Sequence, residues 1–235
     1  MNALRVENIT KSYKKKIVLN SISFCLEENK TLVFLGLDNS GKTTLAKILG
    51  LISKPDSGNI YYFDEERTPS TNDNSDVSLM PDLLGLSEHL TVFENLLLMA
   101  ESRHIKAKGA KDLVIEYMQK YDLMDRYYDK VKTLSISLKK IVSFVLSLLS
   151  DTKVLILDEP FKDVDIKAKK RLMEYINELK RIKTIIITTE DPTIAQALAD
   201  EVYLIEDASI KRQDDFSNIE KLESLLLDKR GENNA

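Results

Sequence analysis

Residues 36–43 read Gly-Leu-Asp-Asn-Ser-Gly-Lys-Thr, between an apolar run at 31–35 and a helix-forming run that begins with Lys42 and Thr43. No other stretch restricts the fold so strongly. A glycine-bordered turn entered from a buried strand and left through a helix aims successive backbone N–H groups and a helix N-terminus at one point. Lys42 adds a mobile positive charge there, and the Thr43 hydroxyl can reach a divalent cation. The segment is a candidate phosphate cradle, formed by Gly36, Asp38, Asn39, Ser40, Gly41, Lys42, Thr43 and Thr44.

The flanking pattern agrees with such a loop. Residues 31–35, 154–157, 184–188 and 202–205 are short, continuously apolar runs, as parallel strands buried on both faces require. Helical periodicity at 42–51, 167–180 and 193–200 separates them; Asp191 can cap the last helix and Pro192 suits its first turn. Residues 2–7 and 17–27 alternate apolar and polar side chains, which predicts an antiparallel edge layer. From about 88 to 130 three segments carry helical spacing, which predicts an inserted helical subdomain. The polar run 64–76 reads as a surface loop and 228–235 as a frayed tail.

Composition narrows the partners. Thirty-four Lys and Arg against 38 Asp and Glu give a net charge of −4, so nucleic acid is not an expected partner. The one cysteine, Cys25, forms no intrachain disulfide, and no signal-like segment follows Met1, which reads as cytosolic. The apolar stretch at 141–149 is far shorter than the roughly 18 residues of a membrane span.

A second site follows at 155–160, Leu-Ile-Leu-Asp-Glu-Pro. A buried strand ending in two acids, in a chain with a phosphate cradle, can offer Asp158 to Mg²⁺ and Glu159 to a water as general base. The alternative is that these acids cap the following helix.

The spacing of GLDNSGKTT, LSISL at 134–138, LILDEP and Asp165 resembles the nucleotide-binding subunit of ATP-binding cassette (ABC) transporters, over residues 1 to about 210. Tyr13 in ITKSYKKK stands where that family stacks an aromatic ring on adenine, and HLTVFENLLL and IAQALADEVYLIED are similar to its later segments. The resemblance implies an α/β fold with a P-loop NTPase (RecA-like) core, an antiparallel β layer and an inserted helical subdomain. One ABC ATP-binding domain would fill 1–235, with core at 1–87 and 131–215, helical subdomain at 88–130 and an extension at 216–235. ATP and Mg²⁺ are the implied ligands. The implied partners are a second cassette subunit, joined head to tail so that Ser135 faces the partner's ATP, and membrane-spanning subunits that hold the chain at the inner face of the cell membrane.

Four departures separate the chain from that family. Asn39 and Asn29 replace glycines, and asparagine is the non-glycine residue best able to take positive φ. The signature, ordinarily L-S-G-G-Q, is Leu134-Ser135-Ile136-Ser137-Leu138, so a branched side chain stands where glycine allows close approach; the alternative is the start of an ordinary buried helix. Asp82 replaces a Gln, still able to reach Mg²⁺ but one methylene shorter, or else faces solvent. Glu190 replaces the switch histidine in Thr-Thr-Glu-Asp. A carboxylate about 4 Å from a phosphate, at an effective dielectric near 20, costs about 4 kcal/mol per charge pair. That exceeds one hydrogen bond of about 1–3 kcal/mol, so Glu190 must be protonated, turned away or balanced by a cation. His89 and His104 are not placed to substitute and read as surface residues.

The expected function is that of the ATP-binding and ATP-hydrolysing subunit of a transporter with separate membrane subunits. Hydrolysis is expected to be slow or partner-dependent and a heterodimer favoured. The helical insertion is most similar to exporters of this kind. A nucleotide-gated regulatory module without turnover is the alternative; a DNA-repair or translation protein lacks support, there being no long coiled-coil insertion and no second cassette.

Overall fold

The computed structural model describes residues 1–70, 76–82, 84–102 and 107–232. The larger sheet is assembled from β3 (Thr31–Leu35), β6 (Val77–Met80), β7 (Val154–Asp158), β8 (Thr184–Thr189), β9 (Glu201–Glu206) and β10 (Ser209–Gln213). Its order is β10-β9-β3-β8-β7-β6, parallel throughout except for β10 at one edge. Leu32 and Phe34 enter one core and Val33 and Leu35 the other, so the unbroken apolar run is a strand covered on both faces.

A second, antiparallel sheet has the order β2-β1-β4-β5, from β1 (Asn2–Tyr13), β2 (Lys16–Glu27), β4 (Ser57–Tyr62) and β5 (Glu65–Arg67). Between the sheets lies α1 (Lys42–Leu49), burying Leu45, Ala46, Ile48 and Leu49 in the core shared with Leu4, Ile9, Phe34 and Ile186. The other face of the parallel sheet carries α2 (Val92–Ser102), α3 (Ala107–Lys120), α4 (Ile136–Leu148), α5 (Ile166–Leu179), α6 (Pro192–Leu198) and α7 (Ile219–Glu232). Asp191 caps α6 as expected, its carboxylate accepting from the Thr193 N–H at 2.8 Å.

Three expectations change. The polar run at 64–76 contains β5, because Phe63 and Asp64 take positive φ and turn the chain back along β4, and Arg67 is then held by Asp76 at 2.8 Å. Within 88–130 the last predicted helix is only a 3₁₀ turn at Met124–Arg126; Phe93 and Tyr127 stack at 4.2 Å and a bridge joins Thr91 to Lys130, closing the insertion at its base. The tail is helical to Glu232, since Leu222 and Leu226 are buried and anchor α7. His104 and residues 71–75 and 233–235 lie outside the described residues.

Candidate active site

β3 delivers the chain to Gly36, whose N–H donates to the Thr189 carbonyl at the end of β8. A Cβ at Gly36 would lie 2.8 Å from the Ile205 carbonyl and 2.7 Å from Ser40 Oγ, so only glycine passes there. Asn39 takes φ 64° and Gly41 φ 107°, turning the backbone into α1; Asn29 also takes positive φ, 57°. Both asparagines do what the missing glycines would do.

Lys42 is 4% exposed and folds back into its own loop. Its Nζ donates to the carbonyls of Gly36 at 2.7 Å and Leu37 at 2.8 Å and pairs with Glu159 Oε1 at 3.1 Å. Thr43 Oγ1 donates to Asp158 Oδ1 at 3.3 Å, and Thr188 Oγ1 donates to the same oxygen at 2.6 Å. Asp158 Oδ2 is buried without a hydrogen bond. Two hard oxygen groups, one with an unused buried lone pair, suit a small divalent cation. The cradle and the two acids, more than a hundred residues apart in the chain, are thus one site.

Glu159 is held at φ 49° in the left-handed region, its N–H donating to both the carbonyl and the hydroxyl of Thr188. Neither it nor Asp158 caps a helix; Asp165 does, accepting from the Ala168 N–H at 2.9 Å. Burial pushes the Glu159 carboxyl above its ordinary 4.5, opposed by the Lys42 ammonium and reinforced by the charges of Asp158 and Glu190.

A cleft of about 520 Å³ opens over this array, walled by Lys16, Asp38, Asn39, Gly41, Lys42, Thr43, Thr44, Asp82, Glu159 and Lys162 among others. Ser40 and Thr44 are partly buried in the loop. Tyr13 is 49% exposed and pairs across its hairpin with Lys16 at the cleft's edge. Asp82 is in the wall, but its carboxylate is paired with Lys140 Nζ at 3.1 Å rather than directed to Thr43 or Asp158. Ser135 is not in the wall: it is the exposed N-cap of α4, accepting from the Leu138 N–H at 3.3 Å. Ile136 beside it is 45% exposed, so the altered signature is not simply a helix start packed into the core.

Two lysines escaped the sequence reading. Lys140, 2% exposed, links α4 to Asp82 and to the Glu159 carbonyl, which accepts at 2.7 Å. Its only sequence signal is a charge inside an otherwise apolar helical stripe. Lys162 lies three residues after Glu159, its Nζ 2.7 Å from Asp38 Oδ1 across the cleft rim. The Asp38 carboxylate holds that ammonium above the usual lysine range, and the charges of Glu159 and Glu190 add to the effect. Glu190 is half-buried and directly follows Thr189, whose carbonyl accepts from the Gly36 N–H, which places it beside the cradle at the end of β8. His89 is exposed.

The family model described as ABC transporter matches residues 19–162, which carry the cradle, the signature segment and both acids. The chain belongs to the ABC transporter family. Among its relatives, the spermidine/putrescine import ATP-binding protein PotA of Mycoplasma capricolum is 30% identical over 90% of this chain and 61% of its own length. The chain thus spans about three-fifths of the PotA proteins it matches. The probable sulfate/thiosulfate import ATP-binding protein CysA of Chlorella vulgaris is 30% identical over 88% of this chain and 89% of its own. The Nod factor export ATP-binding protein I of Burkholderia orbicola is 32% identical over 85% of this chain and 66% of its own. In fold, the chain superimposes on a solved structure, an ATP-binding cassette dimer in a post-hydrolysis state with ADP and Pi. The TM-score is 0.82 at 21% identity, over 92% of this chain and 99% of that one. No described helix is long and apolar enough to cross a membrane.

Proposed function

We propose that the chain is the ATP-binding and ATP-hydrolysing subunit of an ABC transporter, working at the inner face of the membrane with separate membrane-spanning subunits. One observation carries the reading: Lys42, Thr43, Asp158 and Glu159 converge within 3.3 Å contacts at the mouth of the cradle. Relatives named for import and for export both match, so the reading is of the ATP-driven part that such systems share.

In this reading the N–H groups of Asn39 to Thr44 and the N-terminus of α1 receive the phosphates, and Tyr13 offers its exposed ring to the base. Lys42 exchanges its two carbonyl partners for phosphate oxygens. Mg²⁺, when bound, neutralises phosphate charge; Thr43 and Asp158 are the residues that would hold it, while the Asp82 carboxylate stays with Lys140. Glu159 takes the proton of the attacking water, and its raised pKa brings it nearer to neutral pH, where a general base works best. The chain's Ser135 would serve the site of a second subunit, where exposed Ile136 replaces a glycine; a heterodimer with slow or partner-dependent turnover follows.

Calorimetry with Mg·ATP tests the site: binding by the wild type that Lys42→Ala abolishes is expected, and a folded wild type that takes up no Mg·ATP ends the proposal. Turnover by the isolated chain is expected to stay below about 1 s⁻¹, the low end of ordinary enzymes. The second reading, a nucleotide-gated module without turnover, is favoured by Glu190 and Ile136. Equal ATPase rates for wild type and Glu159→Gln would establish it over hydrolysis.

A further inference from the structure

The acid at 190 poses a charge problem that the fold answers with a lysine the sequence pattern did not announce. Asp38 and Glu159 line the mouth of the cradle, Asp158 lies against Thr43, and Glu190 directly follows Thr189, whose carbonyl accepts from the Gly36 N–H; Lys42 answers Glu159 and is the lysine assigned above to the phosphates. Asp82 and Lys140 satisfy each other. Lys16 belongs to the hairpin side, beside Tyr13, and not to the side of β7 and β8. Among the described residues of the wall the remaining cation is Lys162, on the loop between β7 and α5, its Nζ 2.7 Å from Asp38 and its backbone N–H donating to the Glu159 carbonyl at 3.3 Å.

Its present partner holds it loosely. The side chains of Lys162 and Asp38 are 31% and 61% exposed, and a rim pair of that exposure is weak and easily exchanged. A bound triphosphate brings more negative charge to the mouth than the Asp38 carboxylate, and a flexible lysine stem can follow it.

We propose that Lys162 leaves Asp38 on nucleotide binding and contacts the terminal phosphate, acting as the cation that offsets Glu190 and gives preference for a triphosphate over a diphosphate. The inference rests on the cleft being a nucleotide site. Glu190 then acts through Lys162 as a positioning residue, holding the ammonium on the β8 side of the cleft. The lysine after the general base thus carries the positive charge that a histidine at 190 would have provided.

Calorimetry on the full chain, with Mg²⁺ and either ADP or the non-hydrolysable imido analogue of ATP, separates the possibilities. For Lys162→Gln the analogue's affinity is expected to fall about ten-fold or more, the size of one charge-assisted hydrogen bond, while ADP affinity changes less than about three-fold. Lys162→Arg should retain most of the preference. Adding Glu190→Gln to Lys162→Gln should recover part of the lost analogue binding, because the uncompensated acid is then gone while the phosphate contact is still missing. Equal losses for both nucleotides, no loss, or no recovery in the double variant would each overturn the role of Lys162 while leaving the nucleotide site standing. A folded wild type that binds neither nucleotide would end both ideas. Lys162 is partly exposed at the rim, and matching thermal transitions of the variants confirm that binding is read on folded protein.

Discussion

Asp82→Ala strands a buried ammonium, and this makes it a sharper test of the site's architecture than removal of the lysine itself. Lys140 Nζ is 3.1 Å from Asp82 Oδ1, and the side chains are 3% and 36% exposed. At an effective dielectric near 20 the gross attraction is about 5 kcal/mol, most of it offset by the desolvation of Lys140. Breaking a fully buried pair by deleting one partner costs about 3–5 kcal/mol, but the exposure of Asp82 lets water solvate part of the stranded charge, which lowers the expected loss to about 2 kcal/mol. The Glu159 carbonyl, 2.7 Å away, remains as a partner of the ammonium. Lys140→Met removes the charge and its desolvation together while filling similar volume, so its loss should be only about 0–1 kcal/mol. The double variant should resemble Lys140→Met alone. In thermal unfolding of a chain this size, Asp82→Ala should lower Tm by about 4–8 °C and the other two by less than about 4 °C. A Lys140→Met variant less stable than Asp82→Ala would refute the reasoning, since it would show that the pair stabilises the fold rather than the acid tolerating the lysine.

Other substitutions probe the cradle and its acids. Because the folded Glu159 carboxyl titrates above its ordinary 4.5, the folded chain holds that proton more tightly than the unfolded one. Stability thus falls as pH rises through that window, so Glu159→Gln should melt above the wild type near pH 7–8, with the gap closing below about 4.5; a gap constant with pH would count against a buried, raised carboxyl. Asn39→Gly should keep stability and nucleotide affinity, whereas Asn39→Ala, forced to φ 64°, should lose about 1 kcal/mol in urea unfolding; equal behaviour of the two would remove positive φ as the reason for asparagine. Gly41→Ala meets both φ 107° and the Val18 carbonyl at 2.9 Å, and should lose about 1–3 kcal/mol as well as Mg·ATP binding. Glu190→His should raise ATPase activity when the partner cassette supplies an intact signature, and an unchanged rate there would exclude Glu190 as the limiting defect.

The sequence alone determined the glycine-bordered loop, the parallel strands around it, the two long strands of the antiparallel layer and the pair of acids at 158 and 159, because each is written in contiguous residues; β4 carries no clear alternation and was not legible there. Turn chemistry, apolar runs and period-two alternation act over five to ten neighbours, and Asn29 and Asn39 show that even the tolerance of lost glycines was legible from intrinsic φ preference. Tertiary structure decided what depends on which chain segments meet. Strand β5 exists because β4 is there to pair with it and Asp76 returns to hold Arg67; α7 persists because Leu222 and Leu226 find a core. The same holds for charge. Lys140 and Lys162 look like ordinary surface lysines until α4 and the β7–α5 loop bring one against Asp82 and the other against Asp38, in reach of Glu190's field. Local patterns fix a backbone, but a charge is defined by its neighbours in space, and those come from distant parts of the chain.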